Sequence, residues 1–96
     1  MHSSGADSIR LVVQRVSGAL AGSVSYRMIA YPERKGLRFR PAHLATRADV
    51  IARMKTAIAN FDENLIRPES ESTQVLFAST VALTDQQLIQ LGVAEI

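Results

Sequence analysis

The sequence predicts a two-layer α+β sandwich, in which an antiparallel sheet of three to four strands carries one main amphipathic helix and a short C-terminal helix. Two observations predict this class. Short segments that alternate between apolar and polar residues stand on either side of one long segment with the apolar repeat of a helix. The predicted order, β-β-(β)-α-β-α, contains no repeated strand–helix–strand unit of the kind that builds a parallel sheet. The 96 residues, of which 47% are hydrophobic, are enough for one such domain.

The first two strands form a predicted hairpin. Between residues 9 and 16 the odd-numbered positions up to Val13 are apolar, which places them together on the core face. Between residues 23 and 31 the even-numbered positions are apolar and face the core in the same way. The small residues of 17–22, which include two glycines, supply the connecting loop.

A turn and a short third strand follow the hairpin. Residues 32–36 begin with proline and end with glycine, the two residue types that most favour tight turns. Residues 37–40 then return as a strand, with the leucine and phenylalanine directed inward and the two arginines outward. Pro41 ends this strand, because proline has no backbone N–H to donate to a ladder.

The main helix is predicted over residues 47–63. Thr46 suits the N-cap, and Asp49 three positions later completes a capping box. At about 100° per residue, one side of this helix collects a continuous apolar stripe. The stripe consists of Val50, Ile51, Met54, Ala57, Ile58, Phe61 and Leu65.

The C-terminal part is predicted to add a strand and a short helix. Residues 74–83 are apolar on both faces, and such a strand is usually central in its sheet. Thr84 and Gln87 form a second capping box, and Gly92 ends the helix that they start. The predicted packing residues of this helix are Leu88, Ile89 and Leu91. Residues 93–96 either add an edge strand or fray.

We expect the single domain to span residues 9–96. Residues 1–8 are expected to be a flexible N-terminal segment, because MHSSG at its start resembles the remnant of an expression tag. The longest uncharged stretch, residues 72–84, is too short to span a membrane. The absence of cysteine excludes a disulfide scaffold and is typical of a reducing compartment, so the expected location is the cytoplasm.

The net charge of +2 conceals an uneven distribution. Residues 27–60 hold eight cations against two acidic residues, whereas residues 61–96 hold six acidic residues against Arg67. Either an acidic partner binds the middle of the chain, or the two regions neutralise each other in the fold or across a dimer.

The strongest functional signal is the basic run of residues 34–40, which precedes the helix start. Arginines that alternate along a strand project to one face, and the amides at a helix N-terminus favour an anion. Tyr31 stands nearby and is able to stack on a base. The candidate anion-binding or nucleic-acid-binding residues are Arg34, Lys35, Arg38, Arg40 and Arg47.

No catalytic, cofactor-binding or metal-binding residue is predicted. His43 is the one histidine inside the domain, and Asp49, the carboxylate nearest to it on the helix side, is better explained as the helix cap. No serine lies in a glycine-flanked elbow, and no histidines or carboxylates have the spacing of metal ligands. The loop that Gly18 and Gly22 bracket lacks the Gly-Lys-Ser/Thr ending of a phosphate-binding loop.

The second face of the predicted sheet, which the main helix does not cover, is rich in apolar residues. A chain of this size has little else to cover it, so we predict that this face packs against a second copy. The candidate dimer-interface residues are Val12, Ile29, Tyr31, Leu76 and Ala78.

These observations favour a non-enzymatic protein-interaction or regulatory module that acts as a homodimer. The alternative is binding to nucleic-acid phosphates through the basic β-ribbon of residues 32–40. A third class is a small-molecule-binding protein or an enzyme whose pocket lies between the sheet and the helix, since such sites can lack any short motif. No cofactor is predicted.

Overall fold

The computed structural model of the chain describes residues 6–18, 20, 22–33, 38–70 and 72–93. Within these residues the elements are β1 (Asp7–Ser17), β2 (Val24–Pro32), β3 (Ala42–Leu44), α1 (Arg47–Ala57), a short 3-10 helix (Glu63–Leu65), β4 (Val75–Leu83) and α2 (Asp85–Leu91). The four described strands form one antiparallel sheet that two helices accompany, which confirms the predicted α+β class.

The predicted hairpin is formed by β1 and β2. Their register runs from Ile9 opposite Pro32 to Ser17 opposite Val24. β1 starts two residues earlier than predicted, at Asp7, because β4 pairs with this end of the strand from the other side. The strand therefore takes in part of the predicted N-terminal segment, whose first five residues lie outside the described ones.

The third strand is not where the sequence predicts it. β3 follows Pro41 instead of preceding it, and both Ala42 and Leu44 are buried in the core. Proline is tolerated at the start of a strand, so here it precedes a strand and does not end one. Within the predicted strand, residues 37–40, the described Phe39 does pack against the core as expected.

α1 begins as predicted but ends early. The Thr46 hydroxyl accepts the Asp49 N–H at 3.1 Å, and the Asp49 carboxylate accepts the Thr46 N–H at 3.2 Å, so both bonds of the capping box form. The helix ends at Ala57, well before the predicted end at Glu63. The chain leaves the helix at Ile58, whose backbone is extended, and Asn60 then adopts a left-handed conformation with φ of 59°.

This early end changes the predicted apolar stripe. Phe61 has left the helix and packs edge to face against Phe77, with the ring centroids 5.8 Å apart. Leu65, predicted to lie in the stripe, is 57% exposed, whereas Ile66 is buried. Once the helix has ended, the 3.6-residue repeat no longer decides which side chains face the core.

The core lies between one face of the sheet and both helices. Odd-numbered positions of β1 and even-numbered positions of β2 point into it, as predicted. Its buried residues are Ile9, Leu11, Val13, Tyr26, Met28, Ala30, Ala42, Leu44, Val50, Met54, Ala57, Ile66, Leu76, Phe77, Leu83, Leu88, Leu91 and Val93. Val12 is also buried, but it lies outside this cluster, on the opposite face of the sheet.

The second predicted capping box is confirmed at the start of α2. The Thr84 hydroxyl accepts the Gln87 N–H at 3.2 Å, and Gln87 Oε1 accepts the Thr84 N–H at 2.8 Å. Gln87 also donates from Nε2 to the carbonyl oxygen of Ala57 at 3.1 Å. One side chain therefore caps α2 and fastens it to the end of α1.

The end of α2 is also as predicted, since Gly92 caps it in the left-handed conformation. Of the three predicted packing residues, Leu88 and Leu91 are buried, but Ile89 is 57% exposed because so short a helix presents only a narrow side to the core. Of residues 93–96, predicted as an edge strand or a frayed end, Val93 is buried in the core and 94–96 lie outside the described residues. None of the described helices has the length and hydropathy that a membrane-spanning helix requires.

β4 does not occupy the predicted central position. The sheet order is β3-β2-β1-β4, so among the described residues β4 pairs with β1 alone and lies at an edge. A bulge interrupts this pairing, because Val13 stands opposite Phe77 while Gln14 stands opposite Val75. Leu76 is the extra residue and is fully buried in the core. A strand that is apolar on both sides therefore lies at an edge of the described sheet.

Candidate interaction surfaces

The face of the sheet that points away from the helices, here called the second face, carries rows of side chains across the strands. The three central rows are Tyr31–Arg10–Thr80, Ile29–Val12–Ala78 and His43–Arg27–Gln14–Val75. The middle row is apolar, and the two outer rows are mostly polar or basic. Successive rows lie about 7 Å apart along the strands, so about 13 Å separates the two outer rows.

Four of the five predicted dimer residues lie on the second face. Val12 is 8% exposed, Ile29 is half-buried, and Ala78 and Tyr31 are exposed. The prediction for Leu76 is wrong, because the bulge directs this side chain into the core and leaves none of it exposed. Simple alternation along β4 would have placed it beside Ala78.

The second face carries cations but no carboxylate at its described strand positions. Arg10 is exposed, and the half-buried Arg27 donates from Nη2 to Gln14 Oε1 at 2.8 Å. Asp7 belongs to the core-side positions of β1, and Glu33 follows the end of β2. A second copy stacked on this face would bring arginine against arginine, so its charge suits an anionic partner better.

Three of the predicted anion-binding residues are described, and they occupy two different environments. Arg34 and Lys35 lie outside the described residues. Arg38 and Arg40 are exposed in the segment before β3, as expected of outward-facing arginines. Arg47 is half-buried at the start of α1, where the sequence suggests an anion site.

Arg47 already has partners within the chain. Its Nη1 and Nη2 donate to the backbone carbonyl oxygens of Arg67 and Ile66, at 2.6 and 3.3 Å. Arg53 acts in the same way, with Nη1 donating to the Leu91 carbonyl oxygen at 3.1 Å. Residue spacing did not predict this role, because each carbonyl lies far along the chain from its arginine.

The outer edge of β4 is unpaired along most of its length. Arg67 donates its backbone N–H to the Leu76 carbonyl oxygen at 2.8 Å, and among the described residues no other backbone hydrogen bond reaches this side of the strand. Beyond that bond lies the stretch 77–83, called the β4 edge, which contains no charged residue and no proline. Natural edge strands usually carry a charge, a proline or a covering segment, which prevents pairing with other chains.

A groove of about 500 Å³ lies beside the β4 edge, between β4 and the segment 58–67. Its apolar lining is provided mainly by Ile58, Phe61, Leu65, Phe77 and Val81. Asp62 and Arg67 add one charge of each sign. An unpaired strand edge beside an apolar groove is the arrangement by which proteins bind an extended chain, with backbone bonds to the edge and alternate side chains in the groove.

Within the described part of the chain, no group of three or more histidine or carboxylate side chains could hold a metal ion. Comparison with protein-family models, curated proteins and solved structures finds no match for this chain. Its function is therefore inferred from the surfaces of the fold alone, above all from the β4 edge and the second face.

Proposed function

We propose that the protein is a non-enzymatic interaction module that acts as a homodimer, and that its subunits pair through the β4 edge. The observation that carries this proposal is the uncharged stretch 77–83, at an edge where no described residue makes a backbone hydrogen bond from outside the sheet. Such an edge is a ready template for another strand, so a soluble protein gains from covering it. The composition of β4, which is typical of a central strand, fits this position once a second strand lies alongside.

The β4 edge is complementary to itself. Two antiparallel copies related by a two-fold axis at Thr80 pair Phe77 with Leu83 of the partner subunit, and Ala78 with Ala82 of the partner subunit. No charge meets a like charge anywhere along this pairing. The bond from Arg67 to Leu76 closes the ladder at one end and so limits the register.

The second face supports this choice of interface by its charge. Stacking two copies through that face would oppose Arg10 and Arg27 to the same residues of the partner subunit, with no described carboxylate there to compensate. Pairing at the β4 edge keeps the helices of both subunits on one side of a continuous sheet. Both second faces then stay open.

The groove beside β4 and the small size of the chain also favour a dimer. A strand paired with β4 directs every second side chain toward the helix side of the sheet, where Phe61 and Phe77 line the groove. A chain of 96 residues buries only about 60 to 65% of its unfolded surface, so additional burial in a dimer contributes stability that the monomer lacks.

Light scattering coupled to size-exclusion chromatography tests the proposal at micromolar concentration. We expect the wild-type protein to have twice the monomer mass, and Thr80→Lys to be a folded monomer by circular dichroism, because lysine then opposes lysine at the two-fold axis. Thr56→Lys is the matched control, since Thr56 lies exposed on α1 and the same change there leaves the dimer intact.

A third variant distinguishes pairing at the β4 edge from contact through the second face. Ile29→Lys changes the middle of the second face on β2, two strands away from β4, and we expect it to remain dimeric. A monomeric wild-type protein would refute the homodimer. A dimer that resists Thr80→Lys but dissociates with Ile29→Lys would place the contact on the second face, contrary to this proposal.

A further inference from the structure

We infer that the second face of the sheet binds single-stranded nucleic acid, with Tyr31 as the base-stacking residue and Arg10 as a phosphate contact. This inference does not depend on the dimer, because side chains of β1 and β2 carry it, whereas the β4 edge pairs through its backbone. It also differs from the basic ribbon of residues 32–40, since the residues that carry it belong to the regular strands β1 and β2.

The pairing of Tyr31 with Arg10 is the first observation. These two residues stand directly opposite each other on β2 and β1, and both are exposed, Tyr31 to 49%. A large aromatic ring on the open face of an antiparallel sheet is the feature on which bases stack in sheet-type RNA-binding domains. A guanidinium in the next strand is within reach of the phosphate that follows a stacked base.

The rows of the second face provide the remaining contacts. The apolar middle row, with Ile29 and Ala78, gives a flat surface beside Tyr31. The far outer row holds the exposed His43, whose polar groups suit base edges and phosphates, and the half-buried Arg27, whose Nη2 donates to Gln14 Oε1. The outer rows lie about 13 Å apart, so a bound strand crosses the sheet and meets basic groups on both sides.

Charge and shape favour single-stranded nucleic acid over a second copy of the chain, duplex DNA or an acidic protein. The second face has arginines and no carboxylate at its described strand positions, so a polyanion fits it and a second copy does not. Duplex DNA is read by a helix or a two-stranded ribbon that enters the major groove, and a broad sheet face does not enter it. An exposed aromatic ring favours unpaired bases over an acidic protein, because the bases are π-systems.

Fluorescence anisotropy with labelled mixed-sequence single strands of RNA and of DNA tests this inference, and the matched duplex is measured beside them. We expect both single strands to bind the wild-type protein more tightly than the duplex. Affinity should fall as salt rises from about 50 to 200 mM, since phosphate contacts release counterions. The stronger of the two single strands identifies the natural ligand class.

Variants of the two key residues make the test specific. Tyr31→Ala should weaken binding about tenfold, whereas Tyr31→Phe keeps the ring and should bind like the wild type. Arg10→Gln should weaken binding and lower the salt dependence. Lys55→Gln is its control, because it removes the same charge from an exposed residue on α1 and should leave affinity unchanged within about twofold.

Three results would overturn the inference. The first is a lack of binding to either single strand at low salt. The second is full affinity in Tyr31→Ala together with equal binding of the duplex, which would assign the contact to phosphates alone at Arg38 and Arg40. The third is binding of polyglutamate as tight as that of the single strands and unaffected by Tyr31→Ala, which would identify an acidic protein as the partner.

Discussion

The guanidinium of Arg47 donates to the backbone carbonyl oxygen of Arg67 across 2.6 Å. This bond joins the first turn of α1 to the segment that leads into β4, and Arg53 makes a similar bond to the carbonyl oxygen of Leu91 at the end of α2. Arg15 also donates to a backbone carbonyl in the loop before β4. These three arginines therefore hold distant segments together, and this role accounts for their presence without an anionic ligand.

Replacement of Arg47 by methionine should lower the free energy of unfolding by about 1–2 kcal/mol, because it removes two charge-assisted hydrogen bonds at a half-exposed site. Methionine keeps most of the apolar stem, so packing changes little. Urea denaturation at one fixed protein concentration measures the effect. Arg38→Met is the matched control at an exposed position and should change stability by less than about 0.5 kcal/mol. Equal effects at both positions would contradict the structural role of Arg47.

Gly92→Ala should destabilise the protein by more than Gly22→Ala. Both glycines have positive φ, 87° and 82°, at which an alanine costs about 1–2 kcal/mol. A Cβ at Gly92 would in addition collide with the Arg53 guanidinium, whereas a Cβ at Gly22 meets no atom within 4 Å. The difference in melting temperature between the two variants measures this second contribution. Identical melting temperatures would contradict this second contribution, because the Arg53 guanidinium would then move aside at no cost in stability.

Gln87→Ala should cost more stability than Asp49→Ala, although both residues occupy the third position of a capping box. Loss of a capping interaction costs about 1 kcal/mol in either helix. Gln87 also donates to the carbonyl oxygen of Ala57, so its removal leaves a part-buried acceptor at the end of α1 without this donor. Chemical denaturation of the two variants compares them directly. A smaller loss for Gln87→Ala would refute its role between the helices.

Leu76→Ala should lower the free energy of unfolding by about 2–5 kcal/mol, as expected for a large side chain removed from a packed core. Val75→Ala, one residue earlier, should cost less than about 1 kcal/mol, because Val75 is 37% exposed and Leu76 is fully buried. Urea titration of both variants checks the bulge as well as the burial. A strand without the bulge would direct Leu76 away from the core and reverse the order of the two effects.

The helix starts show how much of this fold is predictable. Thr46 with Asp49 and Thr84 with Gln87 form the predicted reciprocal bonds, and Gly92 ends α2 in the predicted conformation. These features depend on residues within one turn of each other, so the sequence contains all the information they need. The β1–β2 hairpin was predictable for the same reason, since its two strands are neighbours in the chain.

The candidate surfaces were predictable only in part. The second face and four of its proposed residues follow from alternation along the strands, and Tyr31 stands there as an exposed ring. Leu76 was misplaced, because a bulge shifts alternation by one residue and leaves no mark in the local sequence. The bonds of Arg47 to the segment before β4 were not predictable, because its carbonyl partners are distant in the chain.

The amino-acid sequence alone predicts the class of the fold, the starts of α1 and α2 and the core side of the first two strands. These are decided by periodicity, capping and turn residues, which act over a few positions. Packing between distant segments places β4 at the edge of the described sheet, where residues 77–83 pair with β1 on one side only, and ends α1 early so that Phe61 reaches Phe77. Which strand gains a second neighbour depends on the packing of segments that are distant in the chain. The composition of an apolar strand does not distinguish a central position in the sheet from an edge position.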